Sequence, residues 1–199
     1  MANISALRRA GFFKEFAALN NEELLNIIQE KRKQRYSELF GHDYDPEKLT
    51  DIRQMAWEDT HKMLHMDLET DVCAENSSYT GLLEVCDEIS GREKIITEIR
   101  EHWESETGPI RINYKMDGQE RSYQPNYLDD WVDQEFLDHI LSEIASVTGE
   151  SFHLCLGPNQ EWFGQDVNYI RLTVAERKIL EEELGWQFFD DFLKEMGQG

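Results

Sequence analysis

The apolar positions of the chain change spacing partway along it, and that change predicts the fold class. Asn20 and Asn21 precede EELLNIIQEKRKQRYSELF, where Leu25, Ile28 and Leu39 fall near one face and Gly41 follows the last residue. An asparagine cap, acidic residues in the first turn and a glycine stop together predict a helix. Pro46 then opens PEKLTDIRQMAWEDTHKMLHMDLE, which contains no breaker and reads as a second helix. Further helices are predicted over 79–89 and 93–103, and the polar ESETGP at 104–109 marks a boundary.

Beyond that boundary the period becomes two. In IRINYKM, Ile110, Ile112, Tyr114 and Met116 alternate with polar residues, and Asp117-Gly118 then leads into QERSYQ. This is a hairpin signal with a type I′ turn. Counting outward from the turn sets Lys115 against Glu120 and Ile112 against Tyr123, one charge match and one apolar match. Asp133 then serves as an N-cap, with Val132 and Leu137 as a hydrophobic staple, for a helix that Gly149 stops. SFHLCL and VNYIRL, joined by GPNQEWFGQD, form a second strand pair. Thr173 to Glu176 is a capping box for a helix ending before Gly185, and WQFFDDFLKEM is apolar at helical spacing. The expected fold is α+β: a helical region of about four helices over 1–106, then a ββα-ββα region over 107–199. Its four strands would form one antiparallel sheet with helices on one face, packed with the helical region as a single unit.

Composition adds a strong electrostatic bias. The 199 residues are 40 % apolar, enough for a real core, and carry 41 acidic against 20 basic side chains, a net charge of −21. Residues 1–40 hold seven Lys/Arg and five Asp/Glu, whereas residues 41–199 hold 13 basic and 36 acidic side chains. No Lys or Arg occurs between Arg121 and Arg171, a stretch with nine carboxylates. Such a field repels nucleic acid and anionic membranes and attracts cationic partners, although acidity also serves plain solubility. The basic run KRKQR reads as a solvated helix face with Glu partners rather than a nucleic-acid patch. Three cysteines without a C-x-x-C pair, and an N-terminus without an apolar core segment, point to a reduced, cytoplasmic protein.

Three stretches carry candidate chemistry. In EDTHKMLHMDLETD, read as helix, Trp57, His61, Leu64 and Leu68 form a stripe with Glu58 and His65 along its edge. Glu58-x-x-His61 has the spacing used by carboxylate-bridged di-metal bundles, but the only other such pair, Glu150 and His153, spans a helix stop. A partly buried histidine hydrogen-bonded to a neighbour is the simpler reading. His153 and Cys155 share a strand face about 7 Å apart without an activating charge. No catalytic motif rises above chance.

The remaining two stretches suggest a binding surface. Trp162 and Phe163 sit in a long loop rimmed by Glu161 and Asp166, and Trp131 stands between Asp130 and Asp133, with Asp129 beside them. Exposed aromatics within an acidic surround have the makeup of an interface hot spot, unless the rings fold back onto the sheet. The resulting expectation is a cofactor-free inhibitor that neutralises a basic protein partner. An immunity protein against a toxin, such as a nuclease, is one setting, and a phage- or plasmid-encoded nucleic-acid mimic is another. A metal-dependent enzyme using Glu58, His61 and His65 is the alternative.

Overall fold

Two antiparallel sheets, of four and three strands, organise the computed structural model, which describes residues 2–40, 55–162 and 164–195. Among these residues the helices are α1 (Ala2–Arg9), α2 (Asn21–Phe40), α3 (Ser78–Ile89), α4 (Gln134–Thr148), α5 (Val174–Leu184) and α6 (Phe189–Glu195). The strands are β1 (Met63–Asp67), β2 (Ile96–Trp103), β3 (Ile110–Met116), β4 (Gln119–Tyr123), β5 (Phe152–Pro158), β6 (Asp166–Arg171) and β7 (Trp186–Phe188). The larger sheet has the order β1-β6-β5-β7 and the smaller β2-β3-β4.

The fold is α+β, but the first half is not a run of four helices. Residues expected to be helical at 63–67 and 96–103 are strands. The start of the second expected helix at Pro46, and the Gly41 stop before it, lie outside the described residues. The two hairpins do not share a sheet either: β3–β4 extends β2, whereas β5–β6 sits between β1 and β7. Both sheets therefore draw strands from either side of residue 106.

Several local expectations hold in detail. The β3–β4 register pairs Lys115 with Glu120 and Ile112 with Tyr123 around a turn whose two central residues have φ of 50° and 75°. That conformation is the type I′ turn, which Asp-Gly adopts readily. Asn20 caps α2 by accepting from the Glu22 and Glu23 N–H groups, and its own N–H donates to Glu23. Thr173 and Glu176 close a reciprocal capping box on α5. The tail expected as one helix is split: Trp186–Phe188 adds to β5 as a strand before α6 begins.

Burial explains why the larger sheet is central. Its faces serve separate cores: Leu64, Leu154, Val167 and Tyr169 join α3, α4 and the small sheet, while Met63, Cys155 and Ile170 join α1, α2 and α5. Four consecutive β6 residues, Val167 to Ile170, are buried, as expected for a strand covered on both faces. Helix α3 packs against β2, β1 and α4, which links the two sheets.

Candidate partner-binding surface

β1 is an edge strand, and the chain after it builds an exposed apolar feature within an acidic surround. The Lys62 C=O accepts from the Arg171 N–H (3.0 Å) and the Leu68 N–H donates to the Gln165 C=O (3.1 Å), so these residues face β6. Past Leu68 the opposite edge is taken by the segment leading into α4. There the Thr70 N–H donates to the Asp130 C=O (2.7 Å) and the Val132 N–H donates to the Leu68 C=O (2.8 Å), flanking a bridge between Glu69 and Trp131. These main-chain bonds fix Trp131 at the surface, where it is 40 % exposed, beside Leu128 at 46 %.

A cavity of about 470 Å³ opens next to this segment. Its walls are β1 and the turn after it (Met66, Asp67, Asp71) on one side and α3 (Gly81, Leu82, Val85) on the other. Val85 is another exposed apolar side chain, 40 % accessible. Carboxylates crowd the rim. The Tyr127 hydroxyl donates to Asp129 (3.2 Å), and it is held above the ordinary tyrosine range by desolvation, by that bond and by the fields of Asp129, Asp130 and Asp71. Asp67 and Asp166 stand opposite each other across β1 and β6, with Gln165 Nε2 donating to both Asp67 oxygens (2.8 and 2.9 Å). Like charges directly opposed on adjacent strands are destabilising, and a cation placed there would relieve them.

Some of the expected site residues therefore converge and others do not. Asp129, Asp130 and Trp131 form one surface, and Asp166 meets Asp67 at the end of β1. Asp133 does not belong to it: 2 % exposed, it accepts from the N–H of Asn126 (2.7 Å) and of Glu135 (3.0 Å) as the cap of α4. Trp162 is a core residue, 8 % exposed, whose ring packs against Trp57, Trp186 and the backbone of Gly157. Glu161 is exposed on the loop beside it, and Phe163 lies outside the described residues.

The histidine stretch is reorganised by the loss of its helix. Glu58 is held by Arg32 and Arg35, His61 is a turn residue 3.8 Å from Glu88, and His65 projects from β1. His65 stacks on Trp57 with ring centroids 4.0 Å apart, and its Nδ1 lies 3.0 Å from Asn168 Oδ1. That oxygen also accepts from Trp57 Nε1 (3.1 Å). An indole nitrogen can only donate, so the Asn168 amide orientation is fixed by the network and the Nδ1 of His65 carries a proton. Glu58, His61 and His65 thus face three different neighbours, and among the described residues no three His, Cys, Asp or Glu side chains gather as a metal would need. Cys155 is buried, with its thiol pushed up to about 12 chiefly by desolvation, and His153 lies against Arg177 and Phe188.

The groove residues Asp67, Asp71, Gly81 and Val85 are not marked as a site by the sequence, because the helical spacing of Leu64 and Leu68 hides strand β1. The signal was present: Leu64, Met66 and Leu68 alternate with His65, Asp67 and Glu69, a period of two. No protein-family model, curated protein or solved structure matches the chain. No helix among the described residues is long and apolar enough to cross a membrane.

Proposed function

We propose that this protein binds and neutralises a basic protein partner through the surface centred on Trp131, as an immunity-type inhibitor does to a toxin. The observation that carries the reading is the exposed Trp131, pinned by the main-chain bonds of Asp130 to Thr70 and of Val132 to Leu68, next to a groove lined by Asp67 and Asp71, with Asp129 and Asp130 gathered beside Asp71 around Tyr127. A tryptophan anchor with a charged rim is the usual composition of an energetic hot spot, and the acidic field would speed encounter with a cationic partner. The alternative metal-dependent reading has lost the helix on which it stood.

The test compares wild type with a variant carrying Trp131→Ala, Asp129→Asn and Asp130→Asn as bait in a lysate of the source cells. A basic protein retained by wild type at low salt, released by high salt and missing from the variant is the expected result. With the purified pair, the variant binds about tenfold or more weakly, the usual cost of removing a central anchor. Equal retention of the same partner by both baits would place the interface elsewhere.

A further inference from the structure

The outer edge of β1 has a property that the surface charge alone does not require. In an antiparallel pair, alternate residues turn both main-chain groups toward the partner strand. At the two ends of β1, the Lys62 C=O and the Leu68 N–H are bonded to β6, which puts Leu64 and Met66 in the set facing β6, so His65 and Asp67 turn their N–H and C=O groups outward. Among the described residues nothing bonds to the outward N–H and C=O of His65 or to the N–H of Asp67. Directly beyond lies the cavity shared with α3, and the wall opposite is built from Ser78, Gly81, Leu82 and Val85. Gly81 leaves that wall flat: a Cβ placed there would meet no atom within 4 Å.

An unpaired edge facing a helix across an apolar channel is the geometry that accepts an extended peptide as an added strand. Main-chain bonds supply affinity in that mode, and alternate side chains supply specificity. Resting on the reading of this surface as the binding face, we infer that the groove takes an extended, basic segment of the partner, which adds to β1 as a fifth strand. Its apolar side chains, at every second position, enter the channel toward Gly81 and Val85. The intervening basic side chains meet the acidic rim, where Asp67 and Asp166 already oppose each other unfavourably.

The probe is the peptide Lys-Val-Lys-Val-Lys-Val-Lys, with binding to the full chain read by fluorescence anisotropy and by amide exchange of His65 and Asp67. In a strand, residues whose side chains point one way also turn their main-chain groups to one edge. N-methylation of the valine amides and of the lysine amides therefore cannot have equal effects. One series is expected to lose about tenfold or more, having lost the bonds to β1, and the other to keep most of its affinity. The His65 and Asp67 amides slow their exchange when the unmodified peptide binds. Gly81→Phe fills the channel without touching a charge, and is expected to abolish peptide binding while leaving the circular dichroism spectrum unchanged. Failure of the unmodified peptide to bind at low salt would overturn the strand addition. Equal binding of both N-methylated series, or full binding to Gly81→Phe, would overturn it too, while leaving the Trp131 surface intact as a charge-driven interface. The reading of that surface fails separately, through the Trp131→Ala, Asp129→Asn, Asp130→Asn bait.

Discussion

Gly157 and Trp162 show how one residue decides where an aromatic ring goes. Gly157 has φ of +70°, and a Cβ there would lie 2.5 Å from the Trp162 ring. The indole therefore folds inward over bare backbone and joins Trp57 and Trp186, instead of standing in the loop as an anchor. Gly157→Ala combines a left-handed backbone penalty with overpacking, and is expected to destabilise the protein by about 3 kcal/mol. Urea unfolding followed by tryptophan fluorescence checks this, and a loss below about 1 kcal/mol would mean that the ring moves aside at little cost. His65 gives a second residue-level test. Burial holds its imidazole below the ordinary value, although Asp166 and Asp67 act in the opposite direction. The unfolded chain gains this proton near pH ~6.5 and the native state only at lower pH. The stability contributed is thus complete above that pH and is lost as the pH falls toward the native value. His65→Phe keeps a ring against Trp57 and removes the titration, so its urea midpoint should fall less than that of wild type on acidification from pH ~7 to ~5. Parallel curves would assign the acid sensitivity to another group.

Elements differed in how far the sequence alone revealed them, and the difference follows from what stabilises each. The β3–β4 hairpin, the caps of α2, α4 and α5, and the Gly149 stop are local devices, complete within a few residues, and all were legible. β1 and β2 were not, for two reasons: β1 pairs with β6, a hundred residues on, and a bulge between Thr97 and Arg100 breaks the alternation of β2, leaving Ile96, Ile99 and Trp103 at helical spacing. Leu64 and Leu68 satisfy a helical face as well as an alternating one, and only long-range pairing decides between them. The binding surface was half legible for the same reason. Trp131 and its aspartates were visible locally, whereas the groove exists only once β1 and α3 lie side by side. The sequence marks Asp133 both as a cap and as a rim charge, and its burial leaves only the first role. Asp133→Ala removes the acceptor for the Asn126 and Glu135 N–H groups and should cost about 2 kcal/mol, with Asp133→Asn costing less. Denaturant unfolding of the two variants measures it. If Asp133→Ala proves neutral in stability, the cap is dispensable.

At the scale of the whole molecule, the net charge of −21 acts on folding and on association with opposite signs. Carboxylates outnumber basic side chains two to one, and the crowding at Asp67, Asp71, Asp129, Asp130 and Asp166 concentrates the repulsion beside β1. Self-repulsion weakens the compact state, whereas attraction to a basic partner strengthens the complex. Raising ionic strength from about 0.01 M to about 0.15 M shortens the screening length from roughly 30 Å to roughly 8 Å and damps both effects. The free protein should therefore become more stable on adding sodium chloride. A gain of about 1 kcal/mol corresponds to a rise of about 2–4 °C in the thermal midpoint for a chain of this size. Over the same range the association rate with a basic partner should fall by about tenfold or more, because steering is lost. Differential scanning fluorimetry and stopped-flow mixing measure the two arms independently. A thermal midpoint that falls with salt would show that ion pairs such as Lys62–Glu176 and Arg121–Glu143 outweigh the repulsion. An association rate indifferent to salt would leave the acidic surface with no role in encounter, and the apolar groove and Trp131 would have to account for recognition alone.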